Sequence, residues 1–368
     1  MERVLVKQRD RFTLELKARY LEPSEAVRRA DYNLGIYFFF PPSFAVSAET
    51  FDPSELYDEV RQHVRFNTPV FTPQELLRDD SPTSPLRRVE RDSAHADDGA
   101  PERIGYESRL LGAVLKTILR NMLLEVQKAV AEGDWGDRLV AECRRTIAGC
   151  REVVERFHRV TRAADEHATG WRSRLVDEHL SLLLERYLAS LLSALGERQF
   201  GDVPSLAVET LRAEEEYRRG MGYRSVPSQL SDERELEEYV YREKMLKKYA
   251  SEVLYCNVRR RNVARAVEHL LYGLAAGLAM VVATGIAFFG QTRFGGLTTS
   301  LFWLLVAGYI VKDRVKDIFR DLFRRRIGRR FSDRTSTVRD RGKKIATLSE
   351  RTAFVDEDRL PERIRGLR

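Results

Sequence analysis

Glu155 and His158 are spaced Glu-x-x-His, so on a helix they share one face. A carboxylate and an imidazole so placed could hold a metal, as in di-iron helical proteins. That chemistry needs a second such pair and two further carboxylates, and the sequence has no second Glu-x-x-His. His167 and His179 have Asp165, Glu166 and Glu178 nearby, and solvated polar helix faces account for them. Residues Gly220 to Ser225 read GxGxxS, but no strand precedes them, so they form no dinucleotide fingerprint. GxxxxGK[ST], HExxH, GxSxG and an EF-hand loop are absent. The sequence therefore assigns no catalytic residue, no metal ligand and no cofactor.

The three cysteines, Cys143, Cys150 and Cys256, form no CxxC pair. Cys143 and Cys150 would lie about 10 Å apart along one helix, too far to bridge, so buried reduced thiols are expected. Of 63 basic residues 52 are Arg, and against 56 acidic residues the net charge is +7. That balance does not argue for nucleic acid. With 43% hydrophobic and 32% charged residues, the chain is neither wholly disordered nor built mainly of membrane spans.

What positions such residues is a helical framework with a membrane segment near its C-terminal end. Residues 270–289 are uncharged over about 30 Å of helix, the thickness of a bilayer core. Residues 294–311 are again uncharged, which predicts a second span and a two-helix transmembrane hairpin. Tyr272 and Tyr309 would sit at matching depth near the cytoplasmic ends. Arg259, Arg260, Arg261 and Arg265 precede the first span; Lys312, Arg314, Lys316, Arg324, Arg325 and Arg326 follow the second. Only Arg293 lies between, so the charge rule puts both termini in the cytoplasm; a bacterial inner membrane is the expected location. The basic residues also suit anionic headgroups. Gly273 and Gly277 form a GxxxG, and Ala275, Ala279, Ala283 and Ala287 form a second row of small residues. Such rows pack helices closely, against the second span or against another copy.

Elsewhere, residues 12–21 alternate as a half-buried strand, and residues 32–40 (YNLGIYFFF) read as a central buried strand before Pro41 and Pro42. Asp52-Pro53-Ser54-Glu55 and Thr72-Pro73-Gln74-Glu75 are helix starts. Residues 79–101 read as a flexible polar loop. Helices are expected over 102–131, 137–168, 171–195 and 203–220, and a single helix of about 87 Å from Asp232 into the first span. Residues 312–330 continue as a basic amphipathic helix, and weak alternation at 344–349 and 352–355 suggests a hairpin docked on the N-terminal sheet.

The expected fold is mainly α: a cytoplasmic helical bundle with a small N-terminal β-sheet and a C-terminal two-helix transmembrane hairpin. Its regions are 1–78, an α+β start; 79–101, the loop; 102–265, the bundle; 266–311, the hairpin; and 312–368, the basic helix and tail. The expected function is a membrane-anchored interaction, scaffold or sensor-like protein. Its partners would be anionic lipid, other copies of itself and a protein bound by the bundle. An oligomeric channel or transport component and a membrane-bound enzyme are the alternatives.

Overall fold

The computed structural model describes residues 4–20, 30–47, 50–51, 53–95, 97–164, 170–224, 233–296, 298–327 and 332–366. In chain order the elements are β1 (Val4–Gln8), β2 (Leu14–Ala18), α1 (Pro53–Glu59), α2 (Pro73–Leu77), α3 (Pro85–Ala94), α4 (Ala100–Glu132), α5 (Asp137–Ala164), α6 (Gly170–Leu195), α7 (Val203–Met221) and α8 (Glu233–Ser251). They continue with β3 (Asn257–Asn262), α9 (Val263–Phe294), α10 (Thr299–Ile327), β4 (Arg334–Asp340), β5 (Lys343–Glu350) and α11 (Glu362–Arg365). The protein is mainly helical. It divides into two compact units, Met1–Arg61 with Thr352–Arg368, and Gln62–Arg351.

In the smaller unit β1 and β2 form an antiparallel hairpin. Arg9 at the turn grips Glu15 through two nitrogens at 2.9 and 3.2 Å. The expected strand at 12–21 is present over Leu14–Ala18, but its partner is β1 rather than the aromatic run. Residues 32–40 are irregular, and Phe38, Phe39 and Phe40 are about half exposed. The local partner wins because closing a short turn costs less chain entropy than pairing across a longer connection. Residues 352–355 form no strand. Thr352 instead donates its hydroxyl to Tyr57 Oη at 2.9 Å, and Phe354 meets Phe51 edge to face.

In the larger unit α6 is central. Every residue from Val176 to Leu184 is buried, polar ones included, so the helix is covered on several sides. Leu180, Leu184, Leu188, Leu191 and Leu195 are fully buried. Helices α4, α5, α7 and α8 each pack against it. Leu111, Leu115 and Leu119 come from α4, and Ile147, Val154 and Phe157 from α5. The ends of these helices follow the local chemistry. Thr72 and Glu75 make a reciprocal capping box at α2, and Gly133 and Gly222 close α4 and α7 at φ +70° and +68°.

Three expectations for this unit are corrected. Residues 79–101 are not a flexible loop: Ser84 caps α3, and Leu86 and Val89 are fully buried. Arg88 and Arg103 then tie α3 to α4 through Glu107 and Asp92. The single helix from 232 does not form either. Cys256 N–H donates to Val64 O and Phe66 N–H to Leu254 O, so an extended neighbour takes the backbone groups that a helix would use. The chain becomes β3, whose antiparallel partner is β4, itself paired with β5. The tail hairpin, β4 with β5, thus completes a three-stranded sheet with β3.

Gly149 of α5 lies against Pro73 of α2; a Cβ there would fall 2.6 Å from Pro73 Cβ. Elsewhere in a helix Gly→Ala gains about 1 kcal/mol. Here the proline ring cannot yield, so Gly149→Ala is expected to destabilise by roughly 1–3 kcal/mol, read as a lower melting temperature.

Candidate functional site

Two places in the larger unit carry unusual chemistry. The first is a buried polar cluster between α5, α6 and α7. His158 lies between two carboxylates, with Nδ1 2.7 Å from Asp177 Oδ1 and Nε2 3.3 Å from Glu214 Oε2. Asp177 is fully buried, and its other oxygen accepts from Tyr217 (2.7 Å) and Tyr223 (3.0 Å). Tyr217 also stacks on the imidazole with ring centroids 3.5 Å apart. Beside it Arg218, 1% exposed, meets Glu185 at 2.6 Å and donates to Ser181 Oγ at 2.8 Å.

Desolvation alone would depress the His158 imidazole. Its hydrogen bonds to Asp177 and then Glu214 outweigh that and hold it up at about 9. His158 is therefore an imidazolium at neutral pH, donating from both nitrogens. Burial and the Asp177 charge push the Tyr217 and Tyr223 phenols up, so both remain neutral donors. His179 is the opposite case. Burial, then the charges of Lys116 and Arg186, push it down to about 3, and it stays neutral.

An imidazolium with both nitrogens bound to carboxylates has no lone pair for a metal and cannot act as a base. Glu155, its sequence partner, turns outward to Arg151 at 2.8 Å. Among the described residues no group of His, Cys, Asp and Glu could hold a metal. His167, Asp165, Glu166 and Ser225 lie outside the described residues. The cluster ties three helices together. No local pattern marks it in the sequence, because Asp177 and Glu214 lie 19 and 56 positions from His158. Cys143 and Cys150 are buried free thiols, both pushed up to about 12 by burial, and so unreactive.

The second place is the α9–α10 pair with the sheet at its root. Helix α9 carries the one described stretch long and apolar enough to cross a membrane, Leu270–Phe294, with mean hydropathy 2.0 and little of its length buried. Helix α10 runs antiparallel against it. Gly290 faces Leu301 and Leu304, and Gly308 faces Ile286. Ala275 and Ala279, each 1% exposed, belong to the same seam face of α9, and Ala283 and Ala287 are half-buried along it. Gly273 and Gly277 are exposed, and a Cβ on either would meet no described atom within 4 Å.

The expected second span is corrected by its helix start. Gly295, at φ +59°, and Gly296 follow α9, and α10 begins at Thr299. Its uncharged part, Thr299–Val311, measures about 20 Å against a core of about 30 Å. Eighteen uncharged residues in sequence are thus partly turn. The pairing of Gly308 with Ile286 also separates the two tyrosines, setting Tyr309 roughly 20 Å along the seam from Tyr272.

The predicted basic residues divide between different elements. Arg259, Arg260 and Arg261 are exposed on β3. Arg314 and Lys316 are exposed on α10; Lys312 is half-buried, with its ammonium 3.9 Å from the Tyr309 ring centre. Arg265, Arg324, Arg325 and Arg326 fall within helices, but their side chains lie outside the described residues. No family model matches the chain, and neither does any curated protein or solved structure.

The His158 cluster gives a pH signature. A folded pKa of about 9, above the ordinary 6.5, means that its stabilisation is complete below pH 6.5 and is lost as pH rises through 9. Unfolding in denaturant at pH 6.5 and 9.5 should show wild type losing up to about 3 kcal/mol more than His158→Gln over that interval. Equal losses would show that the imidazolium contributes nothing.

Proposed function

We propose that this is a non-enzymatic, membrane-anchored interaction or sensor-like protein. In this reading α9 crosses the bilayer and α10 returns beside it. Both ends of the pair then share one side, where the helical core stands as a cytoplasmic bundle. One observation carries the reading: nine large apolar residues of α9 are more than a third exposed, among them Leu270 (67%), Val281 (70%) and Phe289 (67%). Hydrocarbon solvates such a surface; water does not. By the Gly308–Ile286 pairing Lys312 stands about 18 Å along the seam from Leu270, so in this reading Lys312 and Arg314 reach towards the headgroups and the bilayer thins beside α10. Arg259–Arg261 at one end of α9 and Arg293 alone at the other support the cytoplasmic side by the charge rule.

The outward face with Gly273 and Gly277 is the proposed contact for a second copy. It is spatially distinct from the seam to α10, so the two roles separate by mutation. Gly277→Leu should leave the α9–α10 pair intact and reduce self-association in nanodiscs, read by protein mass per disc. Gly290→Leu should break the pair through Leu301 and Leu304, read as a lower melting temperature. An unchanged mass for Gly277→Leu removes the face from assembly.

The anchor is tested at Val281, midway along α9 and outward-facing. If α9 is surrounded by lipid, Val281→Arg costs about 2.5–3.5 kcal/mol of insertion, and the carbonate-resistant membrane fraction falls sharply. If α9 is a water-exposed helix, the same change raises solubility and leaves fractionation unaltered. An unaltered fraction removes the anchor.

A further inference from the structure

We propose that the less buried face of the β3–β4–β5 sheet binds the anionic phosphate headgroups of the membrane that α9 enters; this rests on the membrane reading of α9. Strand register settles which residues share that face. Arg259 pairs with Thr337 and Thr337 with Thr347; Arg261 pairs with Thr335 and Thr335 with Ser349. These six residues form two rows of guanidinium and hydroxyl groups, with no carboxylate and no apolar side chain. The opposite face carries Ser336 and Val338, both fully buried, and Arg260, which donates to Gln62 O at 3.2 Å. The two faces of the sheet are thus chemically different, and only one is packed.

The charge on the sheet is not neutralised from within. Its strands and turn hold eight basic and two acidic residues. Both acids are committed to arginines of the sheet, Glu350 to Arg334 at 2.7 Å and Asp340 to Arg341 at 3.5 Å. Among the described residues, Arg259, Arg261, Arg339, Lys343 and Lys344 have no salt-bridge partner. Guanidinium groups match phosphate oxygens in fork geometry, and threonine or serine hydroxyls donate to the same oxygens.

Position selects lipid over other phosphates. Strand β3 passes into α9 with no residue between them. The first residue of α9 lies about 10 Å, by helix rise, from Leu270, where the apolar stretch begins. A sheet attached there sits at headgroup depth, where the surface potential of anionic lipid is felt. At its far end Arg341 lies over the Tyr106 ring, 4.6 Å from its centre, which connects the sheet to α4. Headgroup binding would therefore act on an element that bridges the membrane helix and the helical core.

The test is native mass spectrometry of the full chain in mild detergent with equal phosphatidylglycerol and phosphatidylcholine. Wild type should retain phosphatidylglycerol at least about tenfold better. Arg259→Gln with Arg261→Gln should weaken that lipid roughly 10- to 30-fold and leave phosphatidylcholine unchanged. Lys343→Gln with Lys344→Gln, at the exposed turn, gives a smaller loss in the same direction and serves if the first pair fails to fold. Equal retention of the two lipids, no effect of either pair, or tighter binding of a mixed-sequence DNA duplex than of phosphatidylglycerol overturns the proposal. Flotation separates it from the anchor. A chain that floats with neutral phosphatidylcholine vesicles but shows no lipid preference keeps the anchor and loses the sheet site. A chain that binds only phosphatidylglycerol vesicles, reversibly with salt, keeps the sheet site and loses the anchor.

Discussion

The exposed apolar surface of α9 is the constraint on which the rest of the larger unit depends. Nine of its large apolar side chains lie open. At roughly 1 kcal/mol each for partial exposure, water would charge about 10 kcal/mol, as much as the net stability of a whole domain. Packing with α10 covers only the seam through Ala275, Ala279 and Gly290. The core around α6 meets its own needs in the opposite way. Leu180, Leu184 and Leu188 are covered on several sides by other helices. Helices α6 and α9 are both rich in apolar residues, and their surroundings distinguish them.

That contrast explains which parts were legible in the sequence. Helices α4, α6 and α7 end within two residues of their expected limits, because 3.6-residue periodicity and glycine or proline punctuation are local signals. The Thr72 box is likewise local. Strand β3 could not be read so. Its sequence, NVRRRN, has no alternation, and its partner β4 begins 72 residues after its own last residue. The aromatic run at 32–40 misled for the converse reason. Strong strand propensity gave no information about whether a partner strand was within reach, and β1 was nearer. The second uncharged run misled because hydropathy counts residues, and Phe294 and the turn that follows it were counted as span.

The His158 cluster was illegible for a geometric reason. Its members are separated by 19 and 56 positions along the chain, and only the crossing of three helices brings them together. Glu-x-x-His directed attention to Glu155, the neighbour on the same helix. The fold instead gives His158 two carboxylates from other helices, Asp177 from α6 and Glu214 from α7. A buried imidazolium between two carboxylates contributes little net energy compared with apolar packing, but removing one member strands the charges that remain. Such a group fixes how α5, α6 and α7 cross, and that accounts for polar residues among leucines and valines.

The sheet at the root of α9 imposes an order on the chain. Strand β3 precedes the helical pair and β4 follows it, so everything from Val263 to Asp333 is a closed excursion between two hydrogen-bonded strands. A free helical pair could tilt or slide. One whose two ends are joined through a ladder from Asn257 to Asn262 cannot separate those ends without breaking backbone hydrogen bonds. The ladder also joins them to β5, whose Glu350 pairs with Arg334 and accepts from Gln62 Nε2 at 3.2 Å. Displacement of the root of α9 is thus resisted by groups on the chain before α2 and after α10. Basic strands in the middle of a largely helical chain look like a poor local choice. They are explained by this closure, which holds both ends of the apolar pair at one level while the arginines of β3 remain accessible.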